Sequence, residues 1–351
     1  MSAAERILTE RELNRALLAR QMLLDRVGAP IPKVLERMGT LQAQYAPSMY
    51  IGLCSRMEGF ERDQLTRALE RRRVVQGTLM RATIHLVSAA DYWPIAEGIR
   101  EGRRELWLKA SHRQREGMTA KRMAAAASRL RKRLTDGPMK RAEIHELLGA
   151  NSIVTNGVNM WIDLVRIPPS GTWERRRADL YAAADAWLGP STASADQGLE
   201  LLVKRYLGAF GPAPSADLVN WMGVPPDYVL PVLERLRLRR FRDEAGTDLL
   251  DLPRAPLPDP DTPAPVRFLP TWDATLLAHA RRSGILPEEH RAKVFSPKSP
   301  QSVGTFLVDG RVAGTWNYEK GRVKTEPFGR LDARTRREQS EEADRLAELH
   351  S

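Results

Sequence analysis

Two side-chain amides one residue apart, Gln42 and Gln44 in Met38-Gly-Thr-Leu-Gln-Ala-Gln-Tyr-Ala-Pro47, stand out in a chain otherwise poor in catalytic vocabulary. A carboxamide is no base near neutral pH, but it carries one acceptor and two donors on a short stem. Two of them can hold a water against an electrophile, which suffices when the leaving group needs no activation. Such positioning contributes on the order of 7 kcal/mol in favourable cases. On a surface helix the same pair is ordinary solvated polarity. There the two side chains would also point about 200° apart, so sharing one site requires irregular backbone. Ala46-Pro47 supplies a cause, because the residue before proline avoids the α region.

The rest of the chain is informative by omission. No glycine-rich dinucleotide fingerprint, no phosphate-cradling Gly-Lys-Ser/Thr and no Gly-x-Ser-x-Gly occurs, and the six histidines lack metal spacing. Neither cofactor nor metal is implied. The single cysteine, Cys54, excludes an internal disulfide framework and points to a reducing compartment. The first residues lack the apolar core of a signal peptide, and no apolar run reaches about 18 residues. A cytoplasmic, nucleoid-associated monomer is expected.

With 55 Lys and Arg against 44 Asp and Glu, the net charge is +11, which favours a polyanionic partner. The excess is concentrated. Between Arg100 and Arg141 stand fourteen cations and four carboxylates, including Arg103, Arg104, Lys109, Arg113, Arg115, Lys121, Arg122 and the run Arg131-Lys132-Arg133. Solvated helix faces usually mix the two signs, so this stretch is read as a contact to backbone phosphates of double-stranded DNA. Arg175, Arg176 and Arg177, and Arg235, Arg237, Arg239 and Arg240, extend the track. Arg81, Thr83 and His85 alternate as residues sharing one face of a strand would, open to phosphate or sugar, with a satisfied strand histidine as the equal alternative for His85.

These residues need elements to position them. Thr9 and Glu12 form a capping box for a helix over 10–27, and the pattern predicts further helices over 31–44, 47–57 and 61–72. Val74 to Val87 then reads as paired strands. A weak repeat follows. Gly137-Pro138 and Gly211-Pro212 each precede a matched apolar pattern that ends twelve residues beyond the first glycine, at Gly149 and Gly223. Third helices are predicted over 156–166 and 227–240, with turn-and-strand segments over 168–180 and 243–252. Prolines at 253, 256, 258, 260, 263, 265 and 270 mark a linker or extended lead-in. Asp309-Gly310 centres a hairpin, 323–328 is another strand, 333–349 an amphipathic helix, and 296–302 a mobile loop. The fold class expected is mainly α with small β-wings: three tandem winged helices plus a C-terminal β-barrel-like domain. The boundaries are 1–90, 91–190 with the basic helices, 191–255 and 256–351.

The glutamine pair, together with Gln21-Met-Leu-Leu-Asp-Arg26, Leu79-Met-Arg-Ala-Thr-Ile-His-Leu86 and Leu269-Pro-Thr-Trp-Asp-Ala-Thr-Leu-Leu277, resembles the AlkZ-like (YcaQ-related) winged-helix DNA glycosylases. In that family a Gln-x-Gln or Gln-x-Asp pair sits at the active site. The resemblance implies Gln42 and Gln44 as catalytic residues of the Gln-x-Gln branch, associated with bulky N7-alkylguanine adducts and interstrand crosslinks. An N7-alkylated purine already carries positive charge and leaves neutral, the case in which holding a water is enough. In the Leu-Pro-Thr-Trp-Asp segment Asp273 is read as a helix N-cap and Trp272 as core. A non-enzymatic winged-helix regulator or architectural protein fits the same fold, since fold does not fix function.

Overall fold

A computed structural model describes residues 4–112, 117–280, 283–295 and 302–351, the side chains of 111 and 112 excepted. Arg113, Arg115 and all of the 296–302 loop except Ser302 lie outside the described residues. The chain forms two compact units, one from Met1–Leu65, Lys204–Leu218 and Arg237–Ser351, the other from Thr66–Val203 and Val219–Leu236.

In the first unit, α1 (Glu10–Arg20) begins as the capping box predicts: the Glu12 amide donates to Thr9 Oγ1 at 3.2 Å and the Thr9 amide to Glu12 Oε2 at 2.8 Å. It ends earlier than periodicity suggested, because Met22 takes a left-handed φ of 55°. Next come α2 (Ile31–Met38) and α3 (Ala46–Cys54). The proline-rich segment is irregular, with turns at Pro253-Arg254 and Pro260-Asp261, and is pinned rather than loose. Carbonyls of Pro256, Pro260 and Thr262 accept from Arg20, Arg11 and Arg15 of α1 at 2.7–3.1 Å. Arg267–Leu269, Gly304–Val308, Arg311–Glu319 and Arg322–Pro327 then pair in that order as an antiparallel sheet. Asp309 and Gly310, at φ 46° and 79°, make its two-residue turn. The expected barrel is corrected to an open sheet. Its first and last strands do not pair, and the helix Ala333–His350 packs against both of them.

In the second unit five antiparallel strands run in the order Ile84–Ser88, Val74–Thr78, Leu164–Arg166, Leu180–Ala183, Met139–Lys140. The helix Ala120–Leu134, capped by Thr119, buries Met123, Ala126, Ala127, Leu130 and Leu134 against Ile144, Leu148, Val158 and Leu164. Its other face is left to charge. The repeat shows in the backbone: helices Arg141–Leu147 and Ser215–Met222 are each followed by a left-handed glycine, Gly149 at φ 80° and Gly223 at 68°. The third helices are shorter than predicted, Ser152–Gly157 and Pro226–Arg235. Residues 164–166 and 239–240 belong to strands instead.

Candidate functional site

The helix predicted through Gln44 stops at Met38, because Gly39 turns the chain at φ 80°. Only glycine serves there. A Cβ would lie 3.0 Å from the Ala209 Cβ and 3.2 Å from the Arg205 carbonyl. The chain then runs extended over Leu41–Gln42 and bends through Gln44 and Tyr45 into α3, with Pro47 in its first turn. With no helix through residues 41–45, the obstacle that helical spacing would pose is removed. The two side chains meet: Gln42 Nε2 donates to Gln44 Oε1. Gln42 is 6% exposed, whereas Gln44 and Tyr45 are open to solvent. Leu41 seats the strand on α3 at Gly52, where a Cβ would meet Leu41 Cδ1 at 3.0 Å and Pro270 Cγ at 3.7 Å.

Beneath this segment lies a charged network that sequence reasoning missed. Arg56, fully buried, makes a two-pronged ion pair with Asp273 at 2.9 and 3.0 Å, and its Nη2 donates to Gln21 Oε1 at 3.4 Å. Gln21, also fully buried, donates from Nε2 to the carbonyls of Met38 and Ala209 at 3.3 and 3.1 Å. Asp273 also caps the short helix Ala274–Leu276 by accepting from the Thr275 amide at 3.0 Å, as its N-cap reading expects. Trp272 is not core. It is half-buried, at a left-handed φ of 64°, while its neighbours are tied down: Thr271 by the Ser48 hydroxyl at 2.8 Å, Asp273 by Arg56. Separations of 217 residues between Arg56 and Asp273 and 188 between Gln21 and Ala209 hid the network. The only signal was that Gln21 and Asp273 stand in the family-like flanks.

In the second unit the predicted cations divide. Arg103, 5% exposed, bonds Asp163 at 2.9 Å and the Thr78 carbonyl at 3.1 Å. Burial lowers its pKa despite Asp163. A guanidinium so enclosed has no face for a phosphate, and its reading as a DNA contact is corrected. His85 is also buried. Its ring shares a hydrogen bond of 3.1 Å with the Thr83 carbonyl, and burial, with Arg81 adding to it, pushes the imidazole down to about 3. The strand face expected for Arg81, Thr83 and His85 does not form. Arg81 sits in a left-handed turn before the strand, at φ 50°, and donates to the Trp221 carbonyl at 2.8 Å.

The remaining described cations are exposed or partly so. Lys121, Arg122, Arg131, Lys132 and Arg133 line the exposed face of Ala120–Leu134, although Arg131 pairs with Asp185 and Arg133 with Asp136. Arg104 lies over the Trp161 ring at 5.9 Å. A cleft of about 570 Å³ brings Arg104, Lys121, Ser128, Arg131 and Trp161 together. Arg175 and Arg176 are exposed, the latter over Trp173 at 5.4 Å. In the first unit Arg239 is held by Glu5 at 2.8 Å, and Arg240 is half-buried. Among the described residues no carboxylate, histidine and cysteine cluster could hold a metal ion, and no helix is long and apolar enough to cross a membrane.

Comparison with known proteins gives a family and a fold. A family model described as DNA glycosylase AlkZ-like matches residues 35–349. The fold is similar to that of the Streptomyces sahachiroi DNA glycosylase AlkZ, with a TM-score of 0.82, 19% identity and 98% of each chain covered. At that identity the likeness shows the fold alone. No curated protein matches by sequence.

Proposed function

The chain belongs to the AlkZ-like DNA glycosylase family, and from that premise we propose that it hydrolyses the N-glycosidic bond of N7-alkylated purines in duplex DNA, bulky adducts and crosslinked bases among them. The observation that carries this reading is the joined pair of amides: Gln42, sunk in the fold, fixes Gln44 at the surface through a side-chain hydrogen bond. Alkylation at N7 makes the base a cation. When the bond from C1′ to the base breaks, its electron pair neutralises the base and the charge passes to the sugar. Water held by the amides adds to C1′, and its proton goes to solvent. The enzyme orients and shields, and does not need a strong base.

Cations on the exposed face of Ala120–Leu134, with Arg104, Arg175 and Arg176, grip backbone phosphates without reading sequence. No lysine stands in the 38–47 stretch, so cleavage beyond the abasic site is not part of the proposal. The helix groups followed by strand pairs are read as three winged helices. Incubating the protein with duplex containing N7-methylguanine, then cleaving abasic sites with alkali, tests the reading. Released base and alkali-labile strands are expected. Intact DNA beside tight, sequence-selective binding would favour a regulator instead.

A further inference from the structure

We propose that Gln21, Arg56 and Asp273 are positioning residues that set the register of the short strand and bend carrying Gln42 and Gln44; the proposal rests on the reading that these two amides hold the attacking water. Arg56 has only donors, so it fixes which end of the Gln21 amide is oxygen. The amide nitrogen is thereby aimed at two carbonyls, Met38 at 3.3 Å and Ala209 at 3.1 Å. Met38 ends α2, and its carbonyl is one of those a helix end leaves without an internal partner. Four residues later comes Gln42. The grip is thus on the last fixed point before the catalytic strand, while the Gly39 turn presses that point against Ala209.

The choice of chemistry supports a role in placement. A buried ion pair is a weak source of stability, because desolvation offsets most of the attraction, and apolar packing of equal volume often does as well. What such a pair does supply is one allowed register. Here Arg56 and Asp273, 0% and 5% exposed, tie the chain just past the end of α3, where Arg56 also donates to the Gly52 carbonyl at 3.0 Å, to the Thr271–Asp273 segment. Leu41 and Pro270 both lie against Gly52 on the same helix. Strand, helix and segment can therefore shift only together.

The test is Gln21→Met, which keeps the volume and removes the bonds, with Asp273→Asn as a second variant should the first not fold. Single-turnover release of N7-methylguanine at saturating enzyme is expected to fall roughly 10- to 100-fold, as misplacement by about an ångström typically costs. DNA affinity should stay within about twofold. In a Gln42→Ala background the same change should cost less than about twofold further, because what it positions is gone. In protein labelled with ¹⁵N-glutamine, the side-chain signals of Gln42 and Gln44 should shift or broaden. An unchanged rate in both variants, an equal loss in both backgrounds, or unmoved signals would each overturn the proposal. Full activity of Gln42→Ala would instead sink the function proposed above, and the ¹⁵N signals would still decide whether Gln21 holds the pair.

Discussion

The glutamine strand and the cationic face of Ala120–Leu134 hold polar chemistry in opposite ways. Before the strand, the neutral Gln21 amide is held by a buried charge, with the Arg56–Asp273 pair at 2.9 Å as the anchor. On the helix, Lys121, Arg122, Arg131, Lys132 and Arg133 are charged, long and exposed, and the carboxylates that pair with Arg131 and Arg133 are surface ones. Exposed pairs are worth about 0–1 kcal/mol and are screened by salt, whereas buried ones respond to a single missing partner by several kcal/mol. Catalysis needs the first kind of order. Holding a polyanion without sequence preference needs only the second.

The contrast can be broken most severely where a buried charge loses its partner. Asp163→Ala leaves Arg103 enclosed without its counter-ion, and about 3–5 kcal/mol of stability should go, read as a lower midpoint in urea. Midpoint loss below about 1 kcal/mol would place Arg103 with the surface cations after all. Next in size, Gln42→Ala and Gln44→Ala should each slow single-turnover base release about 10- to 1000-fold with DNA affinity unchanged. Gln44→Asp puts a carboxylate beside the developing sugar cation, and its activity on small adducts should persist or rise. Full release by the double alanine variant would reduce the pair to surface polarity.

Acid provides a milder probe. His85 is buried neutral at about 3 and ordinarily titrates near 6.5. The unfolded chain therefore takes up the proton first, and its stabilising share is lost as pH falls from 6.5 toward 3. The slope is up to about 1.4 kcal/mol per pH unit. His85→Leu should flatten the urea midpoint against pH in that window, and an unaltered slope would mean that another group carries it. The smallest change is expected on the open face. Lys132→Ala should weaken binding to any duplex modestly and reduce the log–log salt slope by roughly 0.9. A slope that does not move removes Lys132 from the phosphate track.

Legibility in the sequence followed the range of the interaction. The Thr9–Glu12 box, the Asp309-Gly310 turn and the paired glycines 149 and 223 are settled within a few residues, and each is where its local signal placed it. The end of α2 was missed although Gly39 was in view, because Leu41 continued the apolar spacing, and what favours the turn is the approach of Ala209. Arginine was the systematic difficulty. Arg103 reads as a phosphate contact yet is buried, and Arg15, Arg20 and Arg56, which no motif singles out, are buried as well. Arg20 meets Asp251, 231 residues away, at 2.7 and 2.9 Å. The glutamine pair was legible as residues but not as geometry: Gln42 ends a two-residue strand and Gln44 lies in the bend after it, where the two amides join.

The proline-rich segment over α1 has a bearing on how this protein survives crowding. Six of the thirteen residues from 253 to 265 are proline, so nearly half of its peptide units accept hydrogen bonds but cannot donate them. A neighbouring chain seeking to add itself as a strand needs donors and acceptors in alternation, and it finds few donors here. Guanidinium groups, which only donate, suit such a partner, and Arg11, Arg15 and Arg20 supply them from within the same fold. A stretch of irregular backbone thus lies along the surface without offering an edge on which aggregates could grow.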